Sequence, residues 1–136
     1  MKHLGAGILY TDGKTALLLH RSKEVRAEPH TWASTGGGIE DGESLEQTAK
    51  RESKEEIGSL QGKKIAEFHD KFVMYIYKVA KPFKVKLNDE HTEAKWVPLD
   101  EVASYKLHSN FKKEWPRYKK AIEKNTHSFK EWLDGF

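Results

Sequence analysis

Cysteine is absent from this 136-residue chain, methionine occurs twice and proline four times. Without thiols the chain has no disulfide framework, and a metal site built on hard oxygen ligands would favour Mg²⁺ or Mn²⁺ over zinc. No apolar run approaches the roughly 18 residues of a membrane-crossing helix, and no secretory leader is legible, so the expectation is a cytoplasmic protein. A large excess of charge of one sign is lacking too: 24 Lys and Arg face 21 Asp and Glu, a formal net charge of +3. That excess mildly favours anionic ligands but carries no argument for nucleic-acid binding. Four Trp, five Tyr and six Phe supply the apolar area that the low mean hydropathy of −0.80 would otherwise leave wanting. Length and composition fit one domain over residues 1–136 with one core.

Strand-like runs open the chain at Gly5 to Tyr10 and Thr15 to His20, joined by the hairpin signal Thr11-Asp12-Gly13-Lys14. Leu17-Leu18-Leu19 reads as a strand buried on both faces. Polar residues from Arg21 to His30, with Pro29, read as a loop, and Trp32 to Thr35 as a short strand running into Gly36-Gly37-Gly38. Further strands are expected over Ile65 to Phe68, Phe72 to Val79, Phe83 to Leu87 and Glu93 to Val97, and a short helix opens at Pro98. Phe111, Trp115, Tyr118 and Ile122 have helical spacing, with Pro116 either kinking that helix or sitting in its first turn. Pattern alone gives α/β or α+β.

The densest information lies between Gly37 and Ser59, where carboxylates and an arginine recur at fixed spacings around a short amphipathic segment. Ser44 and Gln47 form a capping box and Gly58 supplies the stop, which predicts a helix over Leu45 to Ile57. Leu45, Ala49, Ser53 and Ile57 mark its core-facing stripe, and Glu52 and Glu56 fall within about 20° of Leu45, inside that stripe. Carboxylates aimed inward cost several kcal/mol each if left unpaired, so a cation or strong donors must meet them.

These residues resemble the signature of the Nudix hydrolase family, G-x5-E-x7-R-E-U-x-E-E-x-G-U with U a bulky apolar residue. Gly37, Glu43, Arg51, Glu52, Glu55, Glu56 and Gly58 occupy its specific letters, while Ser53 and Ser59 stand at the two apolar positions and imply looser packing of the helix. In that family the glycine turn usually begins with proline, and here Thr35 takes its place. The resemblance covers roughly Leu4 to Val102 and implies a Nudix-like α/β/α sandwich with a mixed sheet, the residues beyond 102 forming a helical tail.

It also implies chemistry at a pyrophosphate bond, with Mg²⁺ or Mn²⁺ held by Glu52 and Glu56, Glu55 serving a further ion and the carbonyl of Gly36 adding a ligand. Arg51 is expected to tie down Glu43 and Glu55, with Gly37 and Gly58 shaping the loop and the helix end. Among downstream acids Glu90 is the first choice of general base, with Glu93, His91 and Glu52 as alternatives. Arg21 and Arg26 are candidates for phosphate contact or plain surface cations, and Trp32 for base stacking or core.

The leading expectation is a hydrolase of a nucleoside diphosphate linked to another moiety, such as ADP-ribose, a dinucleotide polyphosphate or a nucleotide sugar. The runner-up is a house-cleaning nucleoside triphosphate pyrophosphohydrolase, and a third reading is a catalytically silent sensor or RNA-processing protein. The partner is then a small nucleotide; family members often form homodimers, and no membrane is involved. A basic run near Trp115 and Tyr118 (Lys112, Lys113, Arg117, Lys119, Lys120) is the sole hint of nucleic acid, and it also fits the solvated face of a helix with its aromatics turned inward.

Overall fold

The computed structural model describes residues 2–134, with side chains described as far as residue 125. Seven strands form one mixed sheet among the described residues: β1 (Gly5–Thr11), β2 (Thr15–Arg21), β3 (Trp32–Ala33), β4 (Gly37–Gly38), β5 (Lys63–His69), β6 (Phe72–Lys78) and β7 (His91–Pro98). β1 runs parallel to β6 and the other pairings between these strands are antiparallel. The sheet is splayed. β1 and β2 pair only beside their hairpin, at Thr11 and Ala16; from there β1 takes up β4 and β2 takes up β3 and β7.

Helix α1 (Leu45–Ile57) covers one face and helix α2 (Ser109–Asp134) the other. Side-chain alternation sorts the sheet residues between them. Ile8, Tyr10, Leu17, Leu19, Tyr75 and Tyr77 pack towards α1 with Ala49 and Ile57, whereas Leu9, Leu18, Met74, Ile76 and Val97 pack towards α2 with Phe111, Trp115, Tyr118 and Ile122. The mixed α/β/α sandwich is therefore present, and Leu17 to Leu19 are buried on both faces as their apolar run requires. No helix among the described residues is long and apolar enough to cross a membrane.

α1 begins and ends where its caps dictate. Ser44 Oγ accepts from the Gln47 N–H at 3.1 Å and Gln47 Oε1 from the Ser44 N–H at 2.8 Å, while Gly58 adopts φ 70° and its N–H returns to the Lys54 carbonyl at 3.0 Å. One expected strand is missing. Phe83 to Leu87 is not a strand: Phe83, Val85 and Leu87 do pack on the α1-side core with Lys84 and Lys86 exposed, but the segment pairs with no strand and is tied down singly, by Lys86 N–H to Ile57 O and Trp96 Nε1–H to Phe83 O, both 3.0 Å. Alternation recorded its burial correctly and could not report the missing ladder. Of the two positions open to Pro116 it takes the interior one: it lies inside α2, beyond the first turn, and its lack of an N–H leaves the Lys112 carbonyl without a helical donor.

The two serines at the apolar positions of the signature are tied to each other by a hydrogen bond. Ser53 is fully buried and its hydroxyl sits between the Tyr10 hydroxyl and the Ser59 carbonyl, each at 2.6 Å, so a polar tie replaces apolar packing. Thr35 is equally well fixed in place of proline: its hydroxyl donates to Ile8 O at 3.0 Å and accepts from Ile8 N–H at 3.3 Å.

Candidate metal centre

One turn apart on the buried side of α1, Glu52 and Glu56 look across the glycine turn towards the start of β7, and Glu90 arrives there from the preceding loop. Carboxylate oxygens of all three lie within 4.8 Å of one another; Glu52 and Glu56 are buried and Glu90 is exposed. Glu56 is 1% exposed and its Oε1 accepts the Gly36 N–H at 2.7 Å. Burial pushes the Glu56 carboxyl up to about 9; the Gly36 N–H opposes that rise, and the neighbouring Glu52 and Glu90 add to it. Burial raises Glu52 as well, against the pull of Arg51, whose Nη1 lies 2.9 Å from its Oε1. Three carboxyl groups so close must share protons or a cation, and the hard oxygen donors suit a divalent ion.

Gly37 makes room for this group. A Cβ built there would fall 2.3 Å from Glu52 Oε1, so the absence of a side chain is what lets the carboxylate lie against the turn.

Arg51 fastens the loop to the helix. Its Nε and Nη2 grip the two oxygens of Glu43 at 2.7 and 3.0 Å, Nη2 also reaches the Gly38 carbonyl at 3.0 Å, and Nη1 reaches Glu55 at 3.3 Å. These hydrogen bonds from Arg51 hold the Glu43 carboxyl down at about 2. Glu55 is turned towards Arg51 and stands outside the three-carboxylate group.

The start of β7 carries a bulge that no pattern in the sequence announces. His20 pairs with Glu93 but Arg21 pairs with His91, so Thr92 is the extra residue, and its hydroxyl meets His20 Nδ1 at 2.7 Å. The bulge shifts the alternation by one and turns His91 to the α1 face, where its Nδ1 lies 3.5 Å from Glu56 Oε2. His91 is 4% exposed, and Nδ1 is buried with no hydrogen-bond partner. Burial, with help from Arg21 and His20, lowers its pKa to about 4, which leaves a neutral imidazole near pH 7. Ser22, also buried, pins the loop before β7 from the other side: its N–H donates to Glu90 O at 2.9 Å and its hydroxyl to Asp89 O at 2.8 Å.

The remaining candidates lie elsewhere. Arg21 donates to the Ala27 and Glu28 carbonyls and so braces its own loop; Arg26 is exposed. Trp32 is packed in the α2-side core against His20 and Tyr105, across the sheet from Glu56. Glu93 is exposed beside Lys95. In α2, Trp115 and Tyr118 turn inward, while Arg117 pairs with Asp70 and Lys119 with Asp100.

An arginine-braced loop leading into a capped helix, with buried glutamates one turn apart, is the arrangement of the Nudix fold. The chain belongs to that family, the description of its NUDIX domain matching residues 1–123. A Mycobacterium tuberculosis protein named putative 8-oxo-dGTP diphosphatase 3 is 29% identical over 124 residues, covering 81% of this chain and 57% of its own length. The Escherichia coli nucleoside triphosphatase NudI is 28% identical over 120 residues, covering 74% of this chain and 84% of its own. Among solved structures, the Nudix hydrolase RenU of M. smegmatis superposes with a TM-score of 0.71 at 26% identity, over 88% of this chain and 84% of that one. The chain thus spans little more than half the length of the mycobacterial relative.

Proposed function

We propose that this chain is a metal-dependent pyrophosphohydrolase of nucleoside triphosphates. The observation that carries the reading is the group formed by Glu52, Glu56 and Glu90, in which a carboxyl that is 1% exposed sits within 4.8 Å of two others. A purely structural role gives no reason to crowd like charges in this way. The neighbouring Nδ1 of His91, buried without a partner, likewise fits a position meant to be occupied.

Glu52 and Glu56 would hold the ion and Glu55 a further one, with the Gly36 carbonyl as an added ligand; oxygen donors select Mg²⁺ or Mn²⁺. When bound, the ion offsets the negative charge of the phosphate chain and lowers the pKa of a bound water. Glu90, the exposed member of the trio, takes the proton as water oxygen bonds to phosphorus and the anhydride P–O bond breaks. Arg51 keeps Glu52 pointed at the site while its other nitrogens stay on Glu43 and Gly38.

Triphosphates come ahead of ADP-ribose-like substrates because the relatives M. tuberculosis putative 8-oxo-dGTP diphosphatase 3 and E. coli NudI are named for triphosphates. A panel of nucleoside triphosphates, 8-oxo-dGTP, ADP-ribose, nucleotide sugars and dinucleotide polyphosphates, with products resolved by chromatography, tests this. Nucleoside monophosphate plus pyrophosphate from a triphosphate supports it. Turnover confined to ADP-ribose, nucleotide sugars or dinucleotide polyphosphates restores the other substrate class, and no turnover by folded, metal-binding protein contradicts the catalytic reading.

A further inference from the structure

We infer that Nδ1 of His91 is a nitrogen ligand of the same ion that Glu56 holds, which makes this a mixed oxygen and nitrogen centre. The inference rests on the metal-centre reading above and adds a residue to it. Three observations converge. The bulge at Thr92 turns His91 to the α1 face, and a regular strand would have sent it to the other face. Its Nδ1 then stands 3.5 Å from Glu56 Oε2, a separation that two donors of one ion can share when each bond is about 2.1 Å. That nitrogen is also the one buried side-chain polar atom among the described residues that meets no partner. Native structures rarely leave such an atom unmet, since desolvating it costs about 1–3 kcal/mol.

Imidazole changes what the centre prefers. Carboxylates and water suit Mg²⁺, whereas an imidazole nitrogen adds affinity for Mn²⁺, Co²⁺ and other first-row ions. The bulge is held from both sides, by the His20 to Thr92 contact and by Ser22 on the Asp89 and Glu90 carbonyls, so His91 is presented by a braced backbone.

The test uses the full chain freed of metal, with Mn²⁺ added and pulsed EPR recorded for coupling to nitrogen, in unlabelled and ¹⁵N-histidine-labelled protein. Directly coordinated nitrogen that changes with the label is expected. In His91→Gln the coupling disappears, Mn²⁺ affinity falls roughly ten-fold or more and Mg²⁺ affinity stays within about two-fold of wild type. Mn²⁺ bound in a Glu56-dependent way with no histidine coupling overturns the inference while leaving the metal centre intact; coupling that persists in His91→Gln overturns it too. Mn²⁺ binding undiminished in Glu56→Gln contradicts the centre itself. Should His91→Gln fail to fold, His91→Asn carries the same comparison, and a wild-type spectrum without histidine coupling overturns the inference on its own.

Discussion

Arg51 grips Glu43 with two nitrogens, Nε at 2.7 Å and Nη2 at 3.0 Å, eight residues apart in sequence and on opposite sides of the capping box that starts α1. The loop bearing Gly37 and Gly38 is thereby locked to the helix bearing Glu52 and Glu56 before any ligand arrives. Arg51→Lys keeps a positive charge but cannot fork. It is expected to lower stability by about 2 kcal/mol in urea titration and to reduce turnover as well, because the same guanidinium orients Glu52.

Gly37 is required for space and not for backbone conformation, since it is absent from the glycines with positive φ. Gly37→Ala should therefore fold with a melting temperature close to wild type. Its methyl group meets the Glu52 carboxylate, and a displacement of that group by about 1 Å is expected to cost on the order of 100-fold in kcat. Steady-state kinetics beside a thermal melt separate the two effects.

Ser53→Ala tests the polar tie that replaces an apolar helix contact. It strips the Tyr10 hydroxyl and the Ser59 carbonyl of a shared partner inside the core, for a loss of about 1–3 kcal/mol. Tyr10→Phe on top of Ser53→Ala should cost less than the two single losses added together, because both remove the same bond.

Stability without metal should respond to pH in opposite directions at two glutamates. Glu56 has its folded pKa raised from about 4.5 to about 9, so the folded state holds more protons and the stability this gives below pH 4.5 is lost as pH rises towards 9. Glu43 has its folded pKa lowered to about 2, so its contribution is present above about 4.5 and is lost as pH falls towards 2. Denaturation of metal-free protein from pH 5 to 9 should show a falling limb that flattens in Glu56→Gln and on adding Mn²⁺.

Much of this was legible in the sequence where local chemistry decides structure. α1 runs from Leu45 to Ile57 because Ser44, Gln47 and Gly58 permit little else, and the inward angle of Glu52 and Glu56 follows from helical period alone. Where a position depends on a partner far along the chain, the sequence was silent. Phe83 to Leu87 alternates like a strand but finds no neighbour to pair with. Trp32 stands next to the glycine turn in sequence, yet β3 places it on the α2 face. His91 follows Glu90 in the polar run Asn88 to Glu93, where the sequence offers it as a proton acceptor, and only the pairing of β7 with β2 buries it beside Glu56.

Everything proposed for catalysis depends on the buried carboxylate of Glu56. The most direct test is turnover of the preferred triphosphate by Glu56→Gln at saturating Mn²⁺, with folding checked by circular dichroism. Removing the charge while keeping the shape should lower kcat roughly 1,000-fold or more, the equivalent of several kcal/mol of lost metal-assisted stabilisation, in a protein that stays folded. A folded Glu56→Gln variant that turns over substrate within about ten-fold of wild type would show that the centre is not the catalytic one.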